Sequence, residues 1–249
     1  MSKRLSLPGE HGAHLTLAAA VVTAALLSGH PVPALAMALV LTMAFLARGP
    51  LERMAVRLPL RSWDRPALAG MVILAGAGSA GVMLEGPGPW SFLGLPAALL
   101  AAAGAFAARR TRHHRAVGLE VVAMGSLGAS AGLIALCGGV APPRAVGLAL
   151  VLGAHAAASV LLLRTRLRPR ARAGRRLALL EATALVALAA LGLVALGLPV
   201  MMLALVPRAV QIALGLGRAH DAPRRAAGLG LIETALLATA VVTLVAVGR

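Results

Sequence analysis

The sequence has few of the residues that cover a water-soluble protein or build the commonest reactive sites. Its 249 residues include eight acids, one cysteine and no tyrosine, and charged residues make up only 13%. Because Cys137 is the single cysteine, an intramolecular disulfide and a cysteine-based metal site are excluded. The shortage of polar side chains also leaves too little polar surface for a soluble domain of this size.

Hydrophobic residues, mostly Ala, Leu and Val, make up 59% of the chain and gather in runs long enough to cross a membrane. Because backbone groups in lipid must pair internally, each run is predicted to be a helix. We therefore predict an all-α fold: a single transmembrane domain, 1–249, forming a polytopic bundle of nine transmembrane helices. The predicted spans are 12–30, 31–49, 66–84, 90–108, 116–138, 143–163, 177–197, 199–217 and 226–248.

Basic residues fall almost entirely in alternate connections between these spans. Of the 24 lysines and arginines, 21 lie before the first span or after the second, fourth, sixth and eighth spans. Arg144 and Arg249 lie in the other connections or at the end, and Arg208 lies inside span 199–217. The positive-inside rule then places the N-terminus in the cytoplasm and the C-terminus outside.

The basic connections 48–65 and 164–176 are predicted to contact anionic lipid head groups. A polyanionic ligand is the alternative partner for these two loops. Nucleic acid is not expected, since aromatic residues make up only 2% of the chain and tyrosine is absent.

Ionisable residues inside spans are the best candidates for a site, because a charge in the hydrocarbon core is costly unless it faces the bundle interior. Five residues qualify: Glu120, His155, Glu181, Arg208 and Glu233. Counting about 1.5 Å per residue from the nearest cytoplasmic arginine places all five in the cytoplasmic half of the membrane. This one-sidedness predicts a polar cavity open to the cytoplasm.

Arg208 and Glu233 lie at similar depth on neighbouring spans, so they are predicted to form an ion pair. Gln211 shares the helical face of Arg208 and can add a hydrogen bond. Two interpretations remain open: a structural lock between helices, or a site in which Arg208 offers its planar donor fork to a carboxylate or phosphate. His155 is interpreted as a neutral side chain that hydrogen-bonds across helices rather than as a metal ligand.

Two further features bear on packing. Pro207 is predicted to interrupt span 199–217, because a proline within a helix frees a backbone carbonyl. Gly118, Gly125, Gly128 and Gly132 give span 116–138 a surface of small residues, which favours close packing against another helix.

Short motifs across most of the chain resemble the YwiC-like family of bacterial membrane proteins. The motifs are PGEHGAH at 8–14, FLARGPLERM at 45–54, SVLLLRTRL at 159–167 and GLGLIETAL at 228–236, together with Arg208. The chain keeps His11, Gly12 and Ala13 of the family's opening phrase and has His14 where the family has an aromatic residue. The resemblance implies polar family positions at Arg164, Arg208, Gly230 and Glu233, and it assigns no reaction.

The predicted topology is also similar to that of UbiA-type prenyltransferases. That similarity implies aspartate-rich loops after the second and sixth spans, which bind magnesium and a prenyl diphosphate. Loop 48–65 contains only Glu52 and Asp64, and loop 164–176 contains no acid. Diphosphate chemistry is therefore not supported by the residues, and topology alone cannot supply it.

The function favoured by these patterns is binding or transport of a small anionic or amphipathic molecule. The alternatives are a UbiA-like membrane enzyme acting on a lipid or isoprenoid substrate, with Glu120, Glu181 or Glu233 as base, and an accessory protein of a respiratory or other membrane complex. The candidate ligand-binding residues are Glu10, His11, Glu120, His155, Arg164, Arg208, Gln211 and Glu233.

No cofactor is assigned, since the sequence contains no Walker loop, zinc-binding His-Glu-x-x-His motif or nucleophile elbow. Glu10, His11 and His14 are interpreted as the entry to the first helix rather than as metal ligands. An alternative role for Glu10 and His11 is to line the mouth of the cavity.

Overall fold

The structure, a computed structural model, describes residues 9–55, 64–85, 117–167, 172–217 and 226–248. These residues form eight α-helices and one 3-10 helix, with no strand among them. The α-helices are α1 (Gly9–Leu27), α2 (Pro31–Ala55), α3 (Asp64–Glu85), α4 (Val117–Cys137), α5 (Pro142–Leu167), α6 (Arg172–Ala195), α7 (Val206–Gly217) and α8 (Ala226–Gly248), and the 3-10 helix is Pro199–Leu205. The all-helical fold class is confirmed, and the predicted span 90–108 lies outside the described residues.

Four of these helices contain stretches long and apolar enough to cross a membrane. They are Asp64–Leu84, Glu120–Cys137, Pro142–Leu163 and Arg176–Ala195. Shorter apolar helical stretches at Ala13–Leu27, Pro31–Ala47, Pro199–Leu214 and Ile232–Val247 fall in four other predicted spans. Large apolar side chains such as Leu84, Ile73 and Leu191 point outward, as expected where the outer surface contacts lipid. The count of nine spans and the orientation stay predictions.

Helix α5 lies at the centre of the described bundle. It packs against α1, α4, α6, α8 and the 3-10 helix. Every residue from 151 to 158 is buried, including three alanines in a row at Ala156, Ala157 and Ala158. Small side chains let the neighbouring backbones approach α5 from several sides, so α5 can hold polar side chains away from lipid.

Helix α4 packs on α5 through the predicted surface of small residues, which we call the glycine interface: Gly125, Gly128 and Gly132. A Cβ at Gly132 would lie 2.6 Å from the carbonyl oxygen of Ala145, and one at Gly128 would overlap the backbone of Leu152. Gly118, on the same helix, has nothing within 4 Å of its Cβ position. The predicted packing role is therefore confirmed for the three inner glycines.

Helices α4 and α6 end in the same capping geometry. After α4, Val140 N–H donates to the Ala135 carbonyl and Gly139 adopts a φ of 80°. After α6, Leu198 N–H donates to the Leu193 carbonyl and Gly197 adopts a φ of 70°. This is the Schellman motif, in which a left-handed residue reverses the chain and satisfies the last carbonyls. Both predicted Gly-rich breaks are therefore tight turns.

The predicted interruption of span 199–217 is present just before Pro207. The chain leaves the Gly197 turn as the 3-10 helix and changes to α7 at Val206. The N–H of Val206 donates to the Leu203 carbonyl, which is the residue whose α-helical donor would have been Pro207. The 3-10 bond therefore satisfies the carbonyl that the proline leaves without a partner.

Candidate functional site

Polar side chains from α5, α7 and α8 meet inside the bundle. We call this group the polar cluster; it consists of His155 and Ser159 on α5, Arg208 and Gln211 on α7, and Glu233 on α8. His155 and Ser159 are four residues apart and share one face of α5, and Arg208 and Gln211 share one face of α7. Helical spacing on two apolar helices thus aims both pairs at the carboxylate on the third.

Glu233, on α8, is contacted by side chains from both α5 and α7. Its Oε1 accepts a hydrogen bond of 2.8 Å from Gln211 Nε2, and its Oε2 accepts one of 2.7 Å from Ser159 Oγ. Arg208 Nη2 lies 2.8 Å from Oε2, an ion pair without the alignment of a hydrogen bond. Arg208 Nη1 donates to Gln211 Oε1, so Gln211 bridges the two charged groups. The structure shows the ion pair and the hydrogen bond predicted for these residues.

Burial makes this arrangement energetically important. The side chain of Arg208 is fully buried, and that of Glu233 is 14% exposed. Removing a guanidinium from water costs several kcal/mol, and the attraction of a well-placed carboxylate offsets a cost of about that size. Each buried charge therefore needs the other as its partner for the fold to be stable, with or without a ligand at the cluster.

Three nitrogen atoms beside the ion pair lack a hydrogen-bond partner among the described residues: Arg208 Nε and both ring nitrogens of His155. His155 is 2% exposed and lies near enough to Arg208 for their charges to interact. The prediction that His155 hydrogen-bonds across helices is therefore wrong for this part of the chain. When the ring is neutral, its one donor and one acceptor are both buried and unused among the described residues.

Ser159 was not predicted as a site residue. Its hydroxyl supplies one of the two hydrogen bonds that orient the Glu233 carboxylate. A serine in an apolar helix usually bonds its own backbone, as Thr23, Thr42 and Ser79 do here. The available signal was its position one turn after His155, on the same face.

The remaining predicted carboxylates are not assembled with Glu233. Glu120 lies in the first turn of α4, a helix that packs mainly against α1, α2 and α5. Glu181 is exposed on α6, which packs on α5, α7 and the 3-10 helix. The prediction that all five ionisable residues face one interior cavity is therefore wrong for Glu181. Helices α4 and α6 both pack on α5 but have no substantial contact with each other in the described part of the chain, so Glu120 and Glu181 are not brought together.

The predicted residues at the edges of the bundle are only partly described. The side chains of Glu10, His11 and Arg164 lie outside the described residues. His14 is exposed on α1 and stacks edge-on against Phe45 of α2, with ring centroids 5.1 Å apart. His14 therefore packs as an aromatic side chain would, which explains how it can replace one. Within the described ranges, no three His, Cys, Asp or Glu side chains are grouped to hold a metal.

A cavity of about 310 Å³ lies at the far end of the bundle from the polar cluster. Its wall includes the two Schellman turns at Gly139 and Gly197, the start of the 3-10 helix and Val247 near the end of α8. Arg144 is the charged residue in this wall. By the predicted topology this end faces outside, whereas the predicted cavity faces the cytoplasm.

Among the described residues, four helices that are long and apolar enough to cross a membrane indicate a helical membrane protein. The family model described as YwiC-like protein matches residues 7–135, more than half of the chain, and the chain belongs to that family. No curated protein and no solved structure matches it. The similarity to UbiA-type prenyltransferases is not confirmed by these comparisons. Because the matched residues end before α5 begins, the polar cluster lies outside them.

Proposed function

We propose that this protein is a multi-pass protein of the bacterial inner membrane that binds or transports a small anionic or amphipathic molecule at the polar cluster. The proposal includes the nine-span topology with a cytoplasmic N-terminus, supported by the charge bias between alternate connections. It also includes access to the cluster from the cytoplasm and contact between the basic connections and anionic lipid head groups.

The unused hydrogen-bonding atoms beside the Arg208–Glu233 pair carry this proposal. A pure lock between helices would use the atoms that it buries, because an unpaired polar group in an apolar interior costs about 1–3 kcal/mol. Here Arg208 Nε and both nitrogens of His155 are buried without a partner among the described residues. This excess of hydrogen-bonding capacity is the feature that a lock leaves unexplained and a ligand explains.

The unused atoms also define the chemistry of the ligand. Arg208 Nε is a donor, and a neutral His155 offers one donor and one acceptor. A carboxylic acid or a hydrogen phosphate group supplies oxygen acceptors together with one O–H donor, so it can satisfy all three atoms. The charge of Arg208 is balanced by Glu233, which favours a group that enters carrying its proton.

Ligand-induced stabilisation of the purified protein tests the proposal. Inorganic phosphate and octanoate serve as probes, and the readout is the thermal unfolding temperature in detergent. We expect at least one probe to raise the unfolding temperature of the wild type. His155→Leu should raise the unfolding temperature without ligand, because it removes two unpaired polar atoms, and should abolish the increase caused by the probe.

A matched control is His30→Leu, a substitution of an exposed histidine in the turn before α2. This variant should keep the full response to the probe. If neither probe stabilises the wild type, or if His155→Leu responds as the wild type does, the polar cluster is only a lock. Uptake of the stabilising probe into vesicles containing the protein then separates transport from binding.

A further inference from the structure

The polar cluster and the Arg144 cavity lie on one line of contact between helices. We call this line the seam; it is formed by α5, the 3-10 helix continuing into α7, and α8. These elements touch one another in pairs. On α5, Arg144, Leu148, His155 and Ser159 follow helical spacing along a single face. The same face therefore carries the cavity at one end and the cluster at the other.

Helix α8 repeats this arrangement. Glu233, Leu237, Ala240, Leu244 and Val247 are spaced by three or four residues and so form one stripe. Glu233 belongs to the cluster, and Val247 lines the cavity. Between the two ends, Leu148, Leu205 and Leu244 are at most 3% exposed. The seam is therefore closed by apolar packing over about 10 Å, the rise between Leu148 and His155.

The cavity has the size and charge of a small-molecule site. Its volume of about 310 Å³ falls at the lower end of the range for such sites, about 300–1,000 Å³. Its wall combines apolar side chains with Arg144, one of the two basic residues on the predicted outer side of the membrane. Arg144, which is itself exposed, adds a positive charge beside these apolar side chains, and this combination complements an anionic group attached to a short apolar body.

We infer that the Arg144 cavity is a second anion-binding site and the outer entrance to the polar cluster along the seam. The inference rests on the proposed function, because the same carboxylate- or phosphate-bearing ligand occupies both positions. Arg144 holds the anionic form of the ligand at the entrance. The ligand takes up a proton from water in the cavity before it passes the apolar section, and the cluster then holds the protonated form. Opening requires Leu148, Leu205 and Leu244 to separate. The backbone changes from 3-10 helix to α-helix directly after Leu205, and such a junction can act as the hinge for this movement.

Charge-selective thiol labelling tests the entrance. The background variant is Cys137→Ala, which removes the single thiol, and Leu198→Cys places a new thiol in the cavity wall. The protein is reconstituted into phosphatidylcholine vesicles and treated with membrane-impermeant reagents of equal size, one sulfonate and one trimethylammonium. The positive potential of Arg144 should make the sulfonate react several-fold faster than the cation. Arg144→Gln should remove this preference.

Gly29→Cys in the same background is the matched control. Gly29 is exposed in a turn at the same end of the bundle, has open space around its Cβ position and does not line the cavity. The ratio of the two labelling rates at this position should not change with Arg144→Gln. The anion site is overturned if the ratio of sulfonate to cation labelling rates is the same at both cysteines and Arg144→Gln does not change it at either.

Protection identifies the source of the anion. Slower labelling of Leu198→Cys when inorganic phosphate is added to the buffer supports a soluble ligand. Slower labelling only when phosphatidylglycerol is added to the bilayer supports a lipid head group at Arg144 and overturns the role as entrance for a soluble ligand.

A final measurement separates this inference from the proposed function. In vesicles with the cavity facing the external buffer and inorganic phosphate present only in that buffer, Leu198→Cys protein carrying a bulky adduct should no longer be stabilised, whereas the unlabelled variant should be. Full stabilisation despite the adduct, or no stabilisation of an unlabelled variant that phosphate stabilises in detergent, overturns the entrance and leaves the cluster site standing. Absence of stabilisation by both phosphate and octanoate in detergent contradicts the proposed function itself.

Discussion

Helix α5 is held by two interfaces that use opposite chemistry. Toward α4 it meets the glycine interface, where backbones approach so closely that a Cβ at Gly132 would lie 2.6 Å from a carbonyl oxygen. Toward α7 and α8 it meets the polar cluster, where charged side chains are joined by directed contacts of 2.7–2.8 Å. Lipid is as apolar as the helix surface, so burying apolar side chains does not drive helices together in a membrane. Close backbone packing and polar contacts are the two separate means of joining them.

The comparison teaches what each interface tolerates. The glycine interface fails when an atom is added at Gly128 or Gly132, where a Cβ would overlap the backbone of α5. The polar cluster fails when one charged partner is removed, but removing both charges at once leaves no charge unpaired; only the neutral Gln211 and Ser159 lose partners. Each of the following substitutions tests one side of this difference.

The largest effect is expected from removing one charge of the buried pair. Glu233→Leu leaves Arg208 fully buried without its carboxylate, which should lower the free energy of unfolding by about 3–5 kcal/mol. Thermal unfolding of the purified protein in detergent measures this loss. Arg208→Met together with Glu233→Leu should recover a large part of this loss, because no charge remains unpaired and only the neutral Gln211 and Ser159 lose partners. A double variant as unstable as the single one would show that Arg208 has a second role in packing.

The next largest effect concerns the glycine interface. Gly128→Val forces side-chain atoms into the backbone of Leu152, and we expect a loss of about 2–3 kcal/mol. Gly118→Ala on the same helix meets nothing and should be neutral or stabilise slightly. The same unfolding assay compares the two substitutions. An equal loss in both would mean that glycine acts through α4 itself rather than through its contact with α5.

The smallest effect lies outside both interfaces, at the stacked pair of α1 and α2. His14→Ala removes the edge-to-face contact with Phe45 and should cost about 0.5–1.5 kcal/mol, whereas His14→Phe should retain it. The difference between the two unfolding temperatures measures the aromatic contact. Equal stability of both variants would assign this side chain no stabilising role.

The sequence predicted the members of the cluster better than their geometry. Arg208 and Glu233 could be paired in advance because charges in apolar spans need partners, and the alternation of basic connections placed them at similar depth. Gln211 followed from helical spacing. Ser159 did not, because a serine in an apolar helix has its own backbone as a ready acceptor. The exposure of Glu181 depends on which face α6 turns toward α5, and the residues near Glu181 do not fix that face.

The position of the cavity could not be predicted for a different reason. It is bounded by two turns and the start of a 3-10 helix, which come together from residues far apart in the chain. The polar residues in the spans predicted a cavity in the cytoplasmic half. The observed cavity instead lies at the opposite end, where the backbone reverses at Gly139 and Gly197. The charge distribution identified Arg144 as one of two basic residues on the predicted outer side, but its place in a cavity wall depends on those two turns.

The seven-residue 3-10 helix changes both the reach and the angular phase of the segment that carries Arg208. A 3-10 helix rises about 2.0 Å per residue, so Pro199–Gly217 extends about 32 Å instead of about 28 Å, close to the thickness of the hydrocarbon core. It also turns about 120° per residue instead of 100°, which adds about 140° over the seven residues. The direction of Arg208 is therefore set by this local overwinding as much as by its position in the sequence. A substitution that converts Pro199–Leu205 to α-helix would rotate the guanidinium away from Glu233 without changing any residue of the polar cluster.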